Sequence, residues 1–510
     1  MSTATILWTQ EYTYPLLAAL QLLPLLGALL VYRLKEANST LWVAQVVVVA
    51  ELFLALVIFG AIDTGSPLLQ FSERLHLDGV MVYYVAVDGL AVLFILVTAL
   101  LSSVLAFYGL VRGLKRPVRL SSLILATEAS LMVMLVTQNL LVFILASGVE
   151  LLLVGHMLNH WAISPTANRT VAMNRFLQFQ IIGLLMFAAG VFILTVHYAN
   201  LFGHWSFELA DLQRVAGDGG RFQSVVFFLL FYGLGVRIPI FPLHGWLPPV
   251  AFRGMVALAP TILLGIKVGI YGMVRFVLPL TIGAVHTWQS YVVGVAMVGV
   301  FYPAILAMFQ NNLRLIMAFA VVSHTGLIVV GLFSLTPEGL QGATLLAVNF
   351  GLAATVMLTM IGFVHRRFNT TDLNKLAGRG LFNKIPFIAL VFLIGALSIL
   401  GMPGTPGFDA VHLVLEAAIR RFGALLAIAT ALGSVAAAAF LLRGFQRAFL
   451  THAAAATTTV RDTVEPTRPM EYLVGALVVG ALLAAGFHID PWLDLIDAPT
   501  RALAAGFGTP

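Results

Sequence analysis

The chain contains no cysteine and very little charge. Its 510 residues include 28 Lys and Arg, 22 Asp and Glu and no Cys, so only 10% of positions are charged. Without cysteine, the chain cannot form disulfides, thiolate metal sites, iron–sulfur ligation or a cysteine nucleophile. An ordinary soluble domain carries about 25% charged residues. The composition therefore argues against a soluble protein.

The short motifs of soluble enzymes are also missing. The sequence has no GxGxxG phosphate loop, no Walker motif, no GxSxG and no HExxH. These absences remove support for soluble-enzyme chemistry, so no catalytic residue is expected in this chain. The net charge of +6 does not indicate nucleic-acid binding either, because the basic residues gather in particular loops.

Long apolar runs are what the sequence has in abundance. Hydrophobic residues make up 60% of the chain, and the mean hydropathy is +0.99. Runs of about 20 apolar residues are long enough to cross a bilayer as helices. They predict an all-α polytopic membrane protein with about fourteen transmembrane helices. The predicted spans are 13–32, 41–61, 84–111, 119–137, 139–159, 173–198, 223–243, 256–280, 287–309, 313–335, 339–364, 385–402, 422–445 and 470–488.

The basic residues predict the orientation of these helices. The heaviest basic segments all follow odd-numbered spans, which places them together on the cytoplasmic side. Both termini are then expected on the non-cytoplasmic side. These segments are Arg33–Thr40, Arg112–Arg119, His365–Lys384 and Arg443–Arg468.

Two predicted spans are interrupted by helix-breaking residues. The seventh contains Pro239 and Pro242 and is followed by Pro248, and the twelfth runs into the segment GMPGTPGF at Gly401–Phe408. Matching interruptions in two halves are typical of inverted-repeat transporters. The sequence therefore predicts two inverted units of five helices. The predicted division is 1–118 for helices 1–3, 119–280 and 287–447 for the two units, and 448–510 for a linker and a last helix.

Three ionisable residues in the first unit lie in apolar surroundings. Glu150 is a candidate for proton exchange, although it could instead be paired permanently with a structural cation. Lys267 can lose and regain a proton when buried, unless it snorkels to the interface. Arg237 stays protonated, so we expect it to modulate a neighbour such as Glu150. Arg275, near the end of its helix, is expected to snorkel.

The remaining candidates lie at the two breaks and in the second unit. His324 could relay a proton between its ring nitrogens, and His244 could modulate the path, although either could simply be a packing residue. Asp409, His412 and Glu416 are spaced to share one helical face. We expect Asp409 and His412 to form the exit of a proton path, with Glu416 modulating it. A metal site there is only weakly indicated.

Five segments of the sequence carry a resemblance to a known family. They are VDGL (87–90), RIPIFPLHGWLP (237–248), KVGIYGMVRF (267–276), NLRLIMAFAVVSHTG (312–326) and PGTPGF (403–408). Together they resemble the proton-conducting antiporter-like membrane subunits, which include large subunits of respiratory complex I and of Mrp sodium/proton antiporters. The resemblance implies inverted five-helix repeats and a row of polar residues along the membrane midplane. It implies that Glu150, Lys267 and His324 occupy the family's glutamate, lysine and histidine positions, and that Arg237 replaces the usual lysine.

Departures from the family pattern point to one branch. Residues 249–260 read PVAFRGMVALAP with no acid, and GTPGFDAVHLVLE at 404–416 lacks the usual lysine or glutamate after the break. The second segment resembles the DabB group, the membrane subunits of DAB inorganic-carbon accumulation complexes. This implies CO2 hydration to bicarbonate coupled to cation flow in a bacterial inner membrane. The implied partner is a DabA-like zinc protein similar to β-carbonic anhydrases, with zinc in that partner and no cofactor in this chain.

Two alternatives remain open from the sequence. The chain could be an Mrp-like cation/proton antiporter subunit, or an antiporter-like subunit of a redox-driven respiratory complex. Arg237 argues against ordinary antiport, because a fixed arginine cannot alternate its protonation. The transported cation is expected to be H+, with Na+ as the less favoured choice.

Overall fold

The computed structural model describes residues 9–11, 14–34, 37–76, 82–112, 116–161, 166–216, 220–254, 259–451 and 464–508. Nearly all of them are helical, because a helix satisfies its own backbone donors and acceptors where no water is available. The long helices are α1 (Leu16–Arg33), α2 (Ala37–Ala61), α3 (Gly89–Arg112), α4 (Pro117–Val136), α5 (Leu140–His160), α6 (Thr166–Phe202), α8 (Arg221–Arg237), α10 (Ala259–Gly272), α12 (Ile282–Met308), α13 (Leu313–Leu332), α14 (Pro337–Phe368), α17 (Pro386–Ile399), α18 (Pro406–Phe422), α19 (Ala424–Phe445), α20 (Pro469–Phe487) and α21 (Asp490–Ala505).

Short helices connect or extend the long ones. The shorter segments are α7 (Leu209–Gln213), a 3-10 turn (Leu243–Trp246), α9 (Leu247–Arg253), a π turn (Met273–Val277), α11 (Leu278–Leu280), α15 (Leu373–Leu376), α16 (Leu381–Lys384) and a second π turn (Gln446–Leu450).

The prediction of a polytopic helical membrane protein is confirmed. Among the described residues, twelve helices are long and apolar enough to cross a membrane. The two other predicted spans, 223–243 and 385–402, correspond to the shorter helices α8 and α17. Both are interrupted where the sequence analysis placed a break. After α8 the chain turns through Ile238–Pro242, and after α17 it turns through residues 400–405 before α18 begins.

The centre of the molecule is formed by α13 and α14. Nineteen of the twenty residues of α13 belong to its buried set, and the apolar part of α14 is completely buried. The Thr336 hydroxyl caps α14 by accepting from the Gly339 amide at 3.1 Å, and Pro337 stands in its first turn. These buried helices read as continuous apolar runs because every face contacts protein.

The start of α5 is hydrogen-bonded to the loop that follows α6. Asn139 caps α5 by accepting from the Leu141 amide at 2.9 Å. Next to this cap, Leu140 donates to the Phe207 carbonyl and Leu209 donates to the Gln138 carbonyl, both at 2.9 Å. The loop after α6 is thereby fixed to the start of α5.

The start of α13 carries a corresponding set of contacts. Asn312 caps α13 by accepting from the Arg314 amide at 3.0 Å. Leu313 donates to the Thr371 carbonyl at 3.0 Å, and Leu373 donates to the Asn311 carbonyl at 2.8 Å. The α10 and α19 helices also both end in a π turn. The inverted relation of the two units, and the exact division of the chain, remain predictions.

A small sheet and a surface helix were not expected from the sequence. The strands β1 (Thr9–Glu11), β2 (Leu69–His76) and β3 (Val82–Val87) form one sheet, with β1 parallel and β3 antiparallel to the central β2. The all-α prediction holds for the fold, and the sheet is a local addition to it. The sequence analysis did not separate β3, because its alternating side chains lie in a run that the hydropathy merged with the next helix. At the other end of the chain, α21 packs against α3 and α14.

The predicted linker to the last helix lies partly outside the described residues, which resume at Val464. Arg367, near the end of α14, binds residues at and just before the start of α20. Its guanidinium forms a two-pronged ion pair with the fully buried Glu471, at 3.0 and 2.5 Å, and donates to the carbonyls of Glu465 and Pro466. Part of the basic segment His365–Lys384 is therefore engaged within the chain.

Candidate functional site

A buried ion pair joins the first broken helix to α5. Arg237 is the last residue of α8, and its Nη2 donates to Glu150 Oε2 at 2.9 Å. The exposed fractions are 6% for Arg237 and 3% for Glu150. The sequence analysis predicted that Arg237 would act on Glu150, and the structure places the two in direct contact.

Two further groups hold the arginine side chain. Arg237 Nη1 donates to Ser147 Oγ at 2.5 Å, and Nε donates to the Gly265 carbonyl on α10 at 2.8 Å. The sequence analysis missed Ser147, although it lies three residues before Glu150 and therefore on the same helical face. Arg237 thus connects α5, α8 and α10 through three bonds.

The pair needs glycine on α10. A Cβ atom built on Gly265 would lie 2.9 Å from Glu150 Oε1, and one on Gly269 would lie 3.3 Å from Arg237 Cδ. Any larger residue at these positions would push the ion pair aside. The spacing of Gly265 and Gly269 therefore indicates that one face of α10 packs closely against the ion pair.

Two small cavities flank the ion pair. One is lined by Glu150, Gln180, Arg237 and Trp246, and the other by Ser147, Gln180 and Arg237 together with apolar side chains. Each has a volume of about 10 Å³, close to the minimum that a single water requires. Water in the first of these cavities would give Glu150 a hydrogen-bonded neighbour other than arginine.

A second polar cluster surrounds Phe350 on α14. The Lys267 ammonium lies 5.1 Å from the centre of the Phe350 ring, and the His324 imidazole stacks on the same ring with 4.7 Å between centroids. Lys267 is 1% exposed and His324 3% exposed. His324 Nε2 is buried and has no hydrogen-bond partner among the described residues. The predicted lysine and histidine are therefore neighbours in the core.

The two clusters lie on different faces of α10. Gly265 and Gly269 are one helical turn apart and face the Arg237–Glu150 pair. Lys267 lies between them in sequence, about 200° around the helix, and contacts α14. The Arg237–Glu150 pair and the Lys267–His324 cluster therefore do not form one direct chain of contacts, because α10 lies between them.

The second broken helix has a neutral polar pair. Asn349 Nδ2 donates to the Ser398 carbonyl at 3.0 Å, and Ser398 Oγ donates to Asn349 Oδ1 at 2.7 Å. Both residues are fully buried. Gly407, the second residue of α18, lies directly against this pair, since a Cβ at this position would lie 2.6 Å from Asn349 Nδ2. Asn349 and Ser398 were not singled out in the sequence, because neither ionises.

Asp409, His412 and Glu416 lie on α18, away from the two buried clusters. Asp409 is half-buried, while His412 and Glu416 are exposed. His412 Nδ1 contacts the Phe408 carbonyl at 2.8 Å, and Glu416 pairs with Arg420 at 2.6 Å. None of the described contacts joins these three residues to Lys267 or His324. Their role as an exit path remains a prediction.

His244 lies at the first break but does not contact the ion pair. Its ring packs against Phe241 and Tyr302, with centroids 5.8 and 6.0 Å away. Its Nδ1 is buried and lacks a hydrogen-bond partner within the described part of the chain. This position fits a packing residue beside α12, although its predicted modulating role has not been tested.

The prediction that Arg275 snorkels was wrong. Arg275 Nη1 forms an ion pair with Asp88 at 2.7 Å, and Nη2 donates to Gln138 Oε1 at 3.0 Å. Asp88 also caps α3 by accepting from the Ala91 amide at 2.9 Å. Asp88 and Arg275 both line a cleft of about 230 Å³ beside α21. A nearby buried acid overrides snorkelling because it satisfies the guanidinium inside the protein.

These contacts define what the interior can do chemically. Arginine remains charged, so it can hold Glu150 as a carboxylate but cannot relay a proton. Glutamate, lysine and histidine can each take up and release one. Within the described residues, no three His, Asp or Glu side chains are arranged to hold a metal ion.

Comparisons with known proteins agree with this architecture. Residues 137–437 match the family described as NADH:quinone oxidoreductase/Mrp antiporter, TM. NADH-quinone oxidoreductase subunit M of Rickettsia prowazekii is 26% identical over 449 residues, which cover 86% of this chain and 88% of the relative.

Two solved structures extend the comparison to the fold. A chain of respiratory complex I from Thermus thermophilus with bound NADH is 26% identical, with a TM-score of 0.85 and coverage of 97% of this chain and 100% of that one. A chain of the Mrp complex from Dietzia has the same fold, with a TM-score of 0.82, 19% identity and the same coverage of both chains.

Proposed function

The chain belongs to the NADH:quinone oxidoreductase/Mrp antiporter family of membrane proteins, and we propose that it is a proton-conducting, energy-coupling subunit of a larger membrane complex. The observation that carries the proposal is the pair of buried polar clusters, Arg237–Glu150 and Lys267–Phe350–His324. Charged groups near a membrane midplane cost about 2.5–3.5 kcal/mol each even on lenient scales, so they mark ion paths.

Glu150 is the proposed entry of this path. As a carboxylate it attracts Arg237, and on taking up a proton it loses that attraction. The guanidinium then remains bonded to Ser147 and to the Gly265 carbonyl. Protonation of one acid thereby changes the force that ties α5 to the broken helix. Single waters in the flanking cavities would deliver the proton.

Lys267 and His324 are the proposed continuation. The lysine can release its proton, and the unpartnered Nε2 of His324 can accept one. Because α10 separates this cluster from Glu150, transfer between the two requires water or a movement of α10. The half-buried Asp409 is the proposed exit. One charge that moves down 100 mV releases about 2.3 kcal/mol, which a partner subunit could use.

The favoured setting is a redox-driven complex. The relatives named above are subunit M of NADH-quinone oxidoreductase and a chain of respiratory complex I, and both are similar to this chain over most of its length. A Mrp-like antiporter subunit is the other form of this proposal, supported at the level of the fold.

An inorganic-carbon complex is the second candidate. One support is Arg237, which forms an ion pair with Glu150 and stands where the family usually has a lysine. The other is the second break, where the buried pair Asn349–Ser398 is neutral. In this setting a zinc-bearing partner would hydrate CO2, and cation flow through this chain would drive the reaction in one direction.

Purification from native membranes in mild detergent separates the settings. Mass spectrometry would identify the partners, and elemental and flavin analysis would identify their cofactors. Iron–sulfur or flavin subunits establish the redox setting, further antiporter subunits establish the Mrp setting, and one large zinc protein establishes the inorganic-carbon setting. A chain that purifies alone contradicts the proposal of a larger complex.

Substitution in the intact complex tests the path itself. We expect Glu150→Gln to reduce proton uptake into proteoliposomes to background, because the amide cannot take up a proton. Glu338→Gln is the matched control, since Glu338 pairs with Arg420 at the exposed end of α18. Asp409→Asn tests the exit. Full uptake with Glu150→Gln would rule out this entry, and full uptake with Asp409→Asn would move the exit elsewhere.

A further inference from the structure

Two glutamates in the N-terminal helices form a buried site that is separate from both clusters. Glu51 lies in the middle of α2 and Glu128 in the middle of α4. Their exposed fractions are 0% and 1%. The sequence analysis did not single them out, although each is the one acid in its apolar helix and an intramembrane acid is itself a functional signal.

The two carboxyl groups lie close enough to act directly on each other. None of their four oxygens has a hydrogen-bond partner in the part of the chain that the structure describes. Ser102 on α3 adds a third group to the site. Its hydroxyl is 1% exposed, lies against Glu128 and has no aligned hydrogen bond. The helices α2, α3 and α4 therefore each place side-chain oxygens without hydrogen-bond partners in this site.

In the described part of the chain, no cation is paired with this site. The α2 helix packs against α1, α3 and α4, and α4 also packs against α5 and α10. The buried ionisable residues of α5 and α10 have other partners, since Glu150 pairs with Arg237 and Lys267 lies over the Phe350 ring. Arg119 is nine residues from Glu128, or about 13 Å along the helix axis. The other ionisable residues of these helices lie near helix ends, and they include Tyr32, Arg33, Tyr108, Arg112, His156 and His160.

Two ionised carboxylates cannot remain side by side in apolar surroundings without a cation. The site must therefore bind a positive charge, and a proton is the ion that fits. Hard metal cations usually collect about six or more oxygen ligands. This site offers four carboxyl oxygens and one hydroxyl.

We propose that Glu51 and Glu128 form a second protonation site, in which the two carboxyl groups share a proton and exchange it with each other. In that exchange, the O–H bond of one carboxyl breaks as the proton forms a bond to the other, so atoms and charge are conserved. A rotation of the Ser102 side chain would let its hydroxyl donate to the oxygen that carries the charge. The site has no described contact with Glu150 or Lys267, so it goes beyond the central path.

Infrared spectroscopy of the full chain in lipid nanodiscs tests the proposal without measuring transport. The variants are Glu51→Gln, Glu128→Gln and the double substitution, with Glu338→Gln as the surface control. At neutral pH, we expect the wild-type spectrum to contain a protonated-carboxyl C=O band that shifts in D2O and is lost in the double variant. The control should lose carboxylate bands only.

Loss of carboxylate bands alone in the double variant would overturn the proposal. Conversion of the protonated band to carboxylate when NaCl replaces an impermeant salt would instead assign a sodium site. If the variants do not fold, the wild-type protein can be labelled with dicyclohexylcarbodiimide, which reacts with protonated carboxyl groups. Peptide mass spectrometry then locates the label and tests the same shared proton. Labelling of Glu51 or Glu128 at neutral pH that disappears at alkaline pH supports the shared proton. Lack of labelling across that range contradicts it.

Discussion

The two broken helices of this protein use different chemistry to support similar geometry. At the first break, Arg237 ends α8 and forms an ion pair with Glu150. At the second break, Ser398 lies near the end of α17 and exchanges two neutral hydrogen bonds with Asn349. Both pairs are buried and both include a residue of the interrupted helix. Of these two pairs, only the first can respond to a proton, because neither Asn349 nor Ser398 ionises.

The two pairs should also differ in how much their loss destabilises the protein and in whether it affects proton transfer. A neutral pair supports a break at small cost and has no charge to lose. An ion pair without one partner leaves a buried charge, so its integrity depends on protonation. Substitutions at the two breaks should therefore differ in the size of their effect on stability. Three of them test this comparison, and a fourth substitution outside both breaks sets the lower end of the scale.

The largest effect is expected for Arg237→Ala. It removes three bonds and leaves Glu150 and Ser147 without their described partner. Loss of one member of a buried ion pair typically costs about 3–5 kcal/mol. The loss should appear in thermal unfolding of the detergent-solubilised protein. Arg237→Lys is the control that retains the charge and should recover part of the stability. Unchanged unfolding in the alanine variant would show that the pair is not structural.

The second effect is expected for Gly265→Ala. The added methyl group would meet Glu150 Oε1 at 2.9 Å, so the pair or α10 must shift. Overpacking of this kind costs about 1–3 kcal/mol. Gly60→Ala is the matched control, since a Cβ on that glycine of α2 meets nothing within 4 Å. Equal unfolding temperatures for the two variants would contradict the close approach of α10.

A smaller effect is expected for Ser398→Ala at the second break. The substitution removes the hydroxyl that donates to Asn349 Oδ1, while the backbone carbonyl still accepts from Nδ2. Loss of one neutral hydrogen bond costs about 1 kcal/mol. Proton uptake should stay within the wild-type range, because neither residue ionises. A loss of uptake as large as that of Glu150→Gln would remove the distinction between the two breaks.

The smallest effect is expected outside both breaks, at Glu465. A hydrogen bond from the Arg468 side chain holds the pKa of this exposed carboxyl below its ordinary value. A lowered pKa stabilises the folded state above the ordinary carboxyl pKa, and that contribution is lost as the pH falls through the lowered value. Glu465→Gln should therefore reduce stability by less than about 1 kcal/mol at neutral pH. Unfolding temperatures of variant and wild type should converge in acid.

Parts of the site were visible in the sequence because ionisable residues are rare in apolar runs. Glu150, Lys267 and His324 were found in this way, and the structure places each in the buried interior. The same signal was present at Glu51 and Glu128 but was not used. Ser147, Asn349 and Ser398 carried no such signal, since small polar residues are common in membrane helices. Their roles depend on which helix faces them.

Other outcomes depended on distances that no sequence pattern contains. Arg275 was expected to reach the interface, but Asp88 and Gln138 lie within reach of it from separate segments. Asp409, His412 and Glu416 share a helix as expected, yet that helix places His412 and Glu416 at the surface. Spacing fixes the angle of a side chain around its own helix but not the neighbour that it meets.

The sequence by itself determined the class of the protein, most of its membrane spans, the two broken helices and the residues able to exchange a proton. Hydropathy, proline and rare buried charge act over distances of a few residues, so they can be read along the chain. Only the tertiary structure decided that Arg237 is locked to Glu150, that α10 separates this pair from Lys267 and His324, and that Glu51 and Glu128 meet. These contacts join residues far apart in sequence, because close helix packing selects which polar groups become neighbours.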